Sequence, residues 1–164
     1  MTVTNTRQYT WDDPAPGWAA AATMSGLAFL TASLNGEMPV PPICVANRFA
    51  LVAVEAGRVT FTGEPGPDHY NVAGTVQAGW TTSLLDATLG SAVHSALPEG
   101  RLYTTLDLKV NLVRPVTVAT GLLTCTAWTE HVGRRTATAS GRVEDANGKL
   151  YAHGATTCLV FEVQ

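Results

Sequence analysis

Residues 76–97 read VQAGWTTSLLDATLGSAVHSAL, and this stretch decides the fold. At about 1.5 Å per residue, a helix of that length crosses a small domain. Its apolar residues Ala78, Trp80, Leu84, Leu85, Ala87, Leu89, Ala92, Val93 and Ala96 cover most of the circumference. A helix apolar nearly all round is a buried one, so other elements must wrap it.

The flanking sequence supplies the wrapping. Upstream, Phe49–Glu55 and Arg58–Thr62 read as strands joined by Ala56-Gly57, a short hairpin signal. Downstream, Arg101–Arg114 alternates, with Leu102, Leu106, Leu108, Val110 and Leu112 on one face. Arg101, Thr105, Asp107, Lys109 and Asn111 fall on the other. Thr120–Glu130 is the next strand, turning at His131-Val132-Gly133, and Arg135–Glu144 follows with Ala137, Ala139 and Val143 on one side. Asp145-Ala146-Asn147-Gly148 is a hairpin turn, and Lys149–Val163 forms the last strand. The order helix, two strands, helix, four strands predicts an α+β protein in which an antiparallel sheet wraps a long central helix.

Before the first strand, residues 1–16 mix polar residues with Pro14 and Pro16 and read as a flexible or loosely docked arm. Gly17–Glu37 is rich in Ala, Leu and Met, with Leu27, Leu30 and Leu34 at helical spacing and Gly36 as a stop. This predicts an additional N-terminal helix. Pro39-Val40-Pro41-Pro42 then forces an extended connector. Residues 17–164 form one domain, without repeats or linkers.

The composition bounds the partners. Hydrophobic residues make up 46% of the 164, enough for a core without metals or disulfides. Charged residues are 14%, about half of an ordinary soluble domain's share, so part of the surface is expected to meet a second copy of the chain. A net charge of −3 argues against nucleic-acid binding. Cys44, Cys125 and Cys158 are widely spaced in apolar surroundings and read as buried reduced thiols. The polar start MTVTNTRQYTWDD is no signal peptide, and no run reaches the roughly 18 apolar residues of a membrane span. A cytoplasmic location is expected.

Asp86 is the only Asp, Glu, Lys or Arg between Asp68 and Glu99. A lone carboxylate on a buried helix is costly unless it is hydrogen-bonded or protonated, and such placements are enriched at functional sites. It either serves chemistry or bonds a local backbone group. The helix entry adds Gly74, Gln77, Ala78 and Gly79, small residues that leave first-turn N–H groups open to a ligand at the positive end of the helix dipole. An ordinary glycine-rich helix entry has the same composition.

These residues carry a resemblance. Asn71 is followed six residues later by Gln77-Ala78-Gly79, and Asp86 stands nine residues after Gln77. Tyr103–Asn111, Arg114-Pro115, Gly133–Ala137 and His153-Gly154 complete the pattern. Over roughly residues 42–162 the chain resembles the hotdog-fold acyl-CoA thioesterases of the phenylacetate-degradation (PaaI) type, in the 4-hydroxybenzoyl-CoA thioesterase superfamily.

The resemblance implies a role for each position. Asp86 would be the general base or nucleophile delivering water to the thioester carbon. The N–H of Ala78, helped by Gly79, would polarise the carbonyl. Asn71 would orient water or carbonyl, and Thr105 would hold the water from the neighbouring protomer. It also implies a homodimer or homotetramer with the site at the interface, a CoA thioester as substrate and no cofactor. The family's His-Gly-Gly reads Gln77-Ala78-Gly79 here, so the N–H at 78 is kept, but Gln77 does not titrate near neutral pH.

Other constellations are weaker. Arg114, and Arg134 and Arg135 after Gly133, suit CoA phosphates or solvated strand ends, with Arg134-Arg135 favoured for the nucleotide end. His69, His94, His131 and His153 match no metal-ligand spacing, and no metal is expected. Ser83 and Ser91 lie in no GxSxG elbow. Trp80, Trp128 and Tyr103 either line a pocket or pack in the core. The leading rival is a non-catalytic module holding acyl-CoA or a similar apolar ligand. A hotdog dehydratase is weaker, because the helix offers only His94, well past Asp86.

Overall fold

The leucines of the central helix set the arrangement of everything around them. In the computed structural model, which describes residues 3–163, this helix, α4, runs Ala78–Ser95. Residues 1 and 2, at the tip of the expected arm, and residue 164, at the end of the expected domain, lie outside the described residues. Leu84, Leu85 and Leu89 of α4 are fully buried, each worth about 1.5–3 kcal/mol of apolar burial.

They press on one face of a six-stranded antiparallel sheet: β1 (Phe49–Glu55), β2 (Arg58–Gly63), β3 (Arg101–Leu112), β4 (Leu123–Val132), β5 (Thr136–Glu144) and β6 (Leu150–Glu162). The spatial order is β1-β2-β4-β5-β6-β3, leaving β1 and β3 at the edges. The face under α4 is paved with small residues, among them Ala127, Ala137, Ala139 and Ala152. Gly141 is part of that paving, since a Cβ there would lie 3.2 Å from Leu89 Cδ2 and 3.1 Å from the Ala127 Cβ. Bulk on the helix and smallness on the sheet interdigitate, which brings the two to close packing.

The strands and the β1–β2 turn follow the sequence pattern, with one difference of consequence. A β-bulge between Thr105 and Asp107 shifts the register of β3 against β6. Before the bulge, Tyr103 packs on Gly90 of α4. After it, Leu108 and Val110 pack on the buried core. One extra residue flips every later side chain to the other face, so the unbroken alternation expected for this strand does not hold, and Leu106 is 59% exposed. The buried Thr156 hydroxyl donates to the Asp107 carbonyl at 2.8 Å and latches the bulge.

The N-terminal third also departs from expectation. The single helix expected over 17–37 is two, α1 (Ala15–Ala22) and α2 (Gly26–Leu34). Ser25 breaks them by adopting an extended conformation and accepting a hydrogen bond from the Ala28 N–H, an N-cap that starts the chain anew. The proline run is extended only as far as Pro41. Pro42 opens a short helix, α3 (Pro42–Asn47), because proline is well placed at a first helical position. Residues 3–14 carry no regular structure, yet Arg7 reaches Asp68 and the Val45 carbonyl.

Gly26 lets α2 cross the end of α4. Its N–H donates to the Leu97 carbonyl at 3.0 Å, and a Cβ there would sit 1.7 Å from the His94 carbonyl oxygen. Backbone cannot yield as a side chain does. Gly26→Ala is expected to lower unfolding stability by about 1–3 kcal/mol, read by denaturant titration. Wild-type stability in that variant would mean that α2 is not held in this crossing.

Candidate active site

The start of α4 is built by a loop that one asparagine organises. The Asn71 Oδ1 accepts from the N–H groups of Ala73 (2.8 Å) and Thr75 (3.3 Å), while its Nδ2 donates to Thr75 Oγ1 at 3.0 Å. Gly74, at φ +77°, closes the turn. Asn71 therefore spends its amide on its own loop, where the resemblance had it orienting water or carbonyl. The loop then delivers Gln77, whose N–H donates to the His69 carbonyl at 2.8 Å. Gln77 is the N-cap residue of α4, but its side chain makes no capping bond. Gln77, Ala78 and Gly79 are exposed, and the space beside Gly79 is open. A cleft of about 300 Å³ adjoins this helix start, lined by Asn71, Gln77, Ala78, Arg114 and Val116 among others. Arg114 is held there by its bond to the Leu150 carbonyl.

Asp86 lies two turns further along α4, half-buried and turned toward β3. The Thr105 hydroxyl donates to its Oδ1 at 3.1 Å. Thr105 thus lies beside the carboxylate of its own chain, whereas the resemblance had it reaching over from a neighbouring protomer. The bulge makes this possible. Thr105 precedes it and points to α4, in a strand whose later residues Leu108 and Val110 also pack toward the core. One Asp86 oxygen is thereby oriented by a neutral donor, and the other makes no hydrogen bond among the described residues.

Arg134 and Arg135 sit apart, at the turn before β5. They share a cleft of about 380 Å³ with Arg101 and Glu162. Arg101 donates to the Arg134 carbonyl, and its buried Nε has no partner among the described residues. The sequence reading did not single out Arg101. It stands at the first position of β3, where it read only as the polar side of an alternating strand.

Two further clusters escaped the sequence. Asp68 accepts from Arg48 at 2.9 Å and from Arg7. Burial pushes its carboxyl up, but those two guanidiniums outweigh it and hold the group at about 2. The other cluster surrounds His94, 5% exposed and packed between the rings of Phe29 and Tyr103 at 5.5 and 5.7 Å. Its Nε2 is sealed from solvent and has no partner among the described residues. Burial pushes its pKa down to about 4, so the ring is neutral at physiological pH. His94 is the penultimate residue of α4, and on sequence it counts only for metal-ligand spacing and for its distance past Asp86. Trp80 belongs to the core, donating to the Asn47 carbonyl at 3.0 Å. Trp128 donates to Glu130 at 2.8 Å. The three cysteines are buried and unpaired, as expected, and burial pushes Cys44 up to about 11 and Cys125 to about 12. Among the described residues no cluster of His, Cys, Asp and Glu could hold a metal, and no helix is long and apolar enough to cross a membrane.

A family model described as the thioesterase superfamily matches residues 73–152, which hold Ala78, Asp86 and Thr105. A phenylacetic acid degradation-related protein of Ralstonia eutropha JMP134 is 30% identical with a TM-score of 0.72, over 79% of this chain and 98% of that one. A Streptococcus mutans protein bound to acetyl CoA is 24% identical at a TM-score of 0.64, over 71% and 90%. The Escherichia coli PaaI protein, from the phenylacetic acid degradation operon, is 19% identical at 0.71, over 87% and 97%. No curated protein matches the sequence.

Two measurements check the geometry. Thr156→Val leaves the Asp107 carbonyl without its donor, a loss of about 1–3 kcal/mol. Faster amide exchange across residues 104–108 is expected, and unchanged exchange would mean that the bulge holds itself. His94 sets an acid limit. Its folded pKa of about 4 lies below the ordinary histidine value of 6.5, so between those values the unfolded chain binds more protons and acid favours unfolding. His69 is lowered by burial and acts in the same direction, whereas Asp68 loses its ion-pair stabilisation only below this window. The melting temperature should fall as pH drops from about 6.5 to about 4, and His94→Phe should flatten that slope. An equally steep slope in the variant would assign the acid limit elsewhere.

Proposed function

The chain belongs to the thioesterase superfamily, and on that footing we propose that it hydrolyses an acyl-CoA thioester to a free carboxylic acid and CoA. The observation that carries this is the division of the machinery along α4. Asp86, gripped by Thr105, can take a proton from water or attack the thioester carbon itself. The open N–H of Ala78, with that of Gly79 beside it, can stabilise the oxyanion that forms on the carbonyl. Collapse of the intermediate breaks the carbon–sulfur bond and expels the CoA thiolate, which takes up the proton. On the nucleophilic route water then hydrolyses the acyl-Asp86 anhydride, releasing the acid and restoring the carboxylate. Water, a carboxylate and backbone donors suffice for this chemistry, so no cofactor or metal enters it.

Ala78 and Asp86 are eight residues apart, about 12 Å along a helix. No single carbonyl group reaches both. A second copy with its α4 antiparallel to the first would bring the Ala78 N–H of one chain to the Asp86 of the other, giving a homodimer, or a homotetramer built of such dimers, with two sites. Support comes from β3, an edge strand of 12 residues whose outer side has no neighbouring strand among the described residues and which carries the exposed Leu106 and Leu112, a surface that invites pairing. The low charge content agrees. Asn71 and Gln77 shape the entry, Arg114 adds positive charge to the cleft beside Ala78, and Arg134 and Arg135, with Arg101, take the CoA phosphates. CoA thioesters place the enzyme in the cytoplasm.

Two variants test the mechanism. Asp86→Asn should abolish thiol release from acyl-CoA while leaving the melting temperature near wild type. Ala78→Pro removes one N–H at a first helical position, where proline fits and where Gln77 is already extended. It should cost about 10²–10³ in kcat. Co-refolding the two inactive variants should restore activity, because one site of each mixed dimer is intact. Full activity of Asp86→Asn would sink the mechanism, and no recovery on mixing would confine the site to one chain.

A further inference from the structure

An ion-pair cluster that the proposed chemistry does not use braces the approach to α4. Asp68 stands in the middle of a short turn of helix, Pro67–His69. Its Oδ1 accepts from Arg48 Nη2 at 2.9 Å, and its Oδ2 accepts from Arg7 Nη1. Each guanidinium is itself anchored. Arg7 Nη2 donates to the Val45 carbonyl at 3.1 Å, which ties the N-terminal arm to α3. Arg48 ends α3 at φ +57°, the one non-glycine residue in the left-handed region among the described residues. Its guanidinium lies against Gly66, where a Cβ would fall 1.9 Å from Nη1. Such a backbone conformation persists where the surroundings over-determine it. Three segments distant in sequence thus converge on one carboxylate.

His69 passes this rigidity on to α4. Its carbonyl accepts at 2.8 Å from the N–H of Gln77, the residue just before Ala78. Its Nδ1 accepts from the Gly66 N–H at 3.0 Å, which fixes the ring. That ring packs on Trp80 of the first turn of α4, centroids 5.5 Å apart. Trp80 Nε1 in turn donates to the carbonyl of Asn47, next to Arg48. Asp68 and His69 also line a cleft of about 320 Å³ together with Gln77 and Gly79. The start of α4 is therefore held from the side of Asp68 by a closed circuit of contacts.

We propose that Asp68 is a positioning residue: clamped by Arg48 and by Arg7 of the N-terminal arm, it fixes the first turn of α4 and with it the direction of the Ala78 and Gly79 N–H groups. The proposal rests on the thioesterase reading, in which those groups receive the oxyanion. Asp68 touches no reacting atom in this role. Partly exposed ion pairs add little to global stability, so the effect of the cluster is local precision. A displacement of about 1 Å at a reacting centre can cost about 10²-fold in rate. An oxyanion donor acts in the transition state alone, so its displacement lowers kcat and leaves KM unchanged.

The test uses the full chain with Arg7→Met, Asp68→Asn and the double variant. Thiol release from phenylacetyl-, butyryl- and octanoyl-CoA gives kcat and KM, melting temperature reports folding, and hydrogen exchange by NMR reads the Gln77 N–H. Each single variant should lower kcat by about tenfold or more, with KM within about twofold of wild type and a melting temperature near it. The double variant should match Asp68→Asn, because Arg7 acts through that carboxylate. Exchange at Gln77 should quicken in all three. Wild-type kcat in a folded variant, a loss confined to KM, or a fully additive double variant would overturn the proposal. Should Asp68→Asn fail to fold, Arg7→Met, which leaves Arg48 on Asp68, decides by the same criteria. If wild type hydrolyses none of the thioesters, the thioesterase reading falls and Gln77 exchange decides the clamp by itself: faster exchange in the variants upholds it, unchanged exchange removes it.

Discussion

Close packing of large side chains on α4 against a floor of alanines and glycines is the constraint on which the rest of this structure depends. Leu84, Leu85 and Leu89 are fully buried, and the sheet is tight beneath them: a Cβ at Gly141 would come within 3.2 Å of Leu89 Cδ2, and one at Gly154 within 3.5 Å of Leu85 Cδ1. That contact fixes the rotation of α4 about its axis. Once the rotation is fixed, Asp86 must face β3, Gly90 must meet Tyr103, and His94 must point toward α2. The functional positions are consequences of where the leucines go.

The bulge in β3 resolves a conflict this packing creates. A regular strand offers α4 either the Tyr103–Thr105 phase or the Leu108–Val110 phase, never both. The first holds the polar contact to Asp86, and the second completes the apolar core. Inserting one residue, at the cost of exposing Leu106, gives the helix both. A hydroxyl next to a carboxylate and an apolar seal further along are then available on a single strand. The latch from Thr156 gives the Asp107 carbonyl at the bulge a side-chain donor.

How far the sequence revealed all this follows from the range of each interaction. The hairpin, the central helix and the alternating strands are local patterns, and they were legible. Asp86 was legible too, because a lone charge in an apolar helix needs no partner to be conspicuous. The bulge was not, since Thr104-Thr105-Leu106 reads as ordinary alternation and only the pairing with Thr157 and Cys158 across the sheet reveals the slip. The break between α1 and α2 was available in Ser25-Gly26, a capping residue before a small one, but the surrounding alanines masked it. Asn71 was found for its spacing, while its work on Ala73 and Thr75 belongs to a turn whose glycine signal was read as part of a loop. His94 depends on Phe29, distant in sequence, and no local pattern could have paired them.

The substitution at the helix entry bears on how such a site works with Gln77-Ala78 in place of histidine and glycine. On the proposed mechanism the oxyanion donor is a backbone N–H, and a side-chain methyl leaves it in place. What changes is the neighbourhood. A histidine beside the helix start would add positive charge when protonated and make the carbonyl's surroundings depend on pH. Gln77 adds none, and its side chain caps nothing. The positive potential at this end of α4 then comes from the helix dipole and from Arg114, which lines the same cleft and is tied to the Leu150 carbonyl. On the proposed mechanism, stabilisation of the oxyanion therefore owes nothing to a charged side chain at position 77, and the Thr105 hydroxyl orients the Asp86 carboxylate two turns along the same helix.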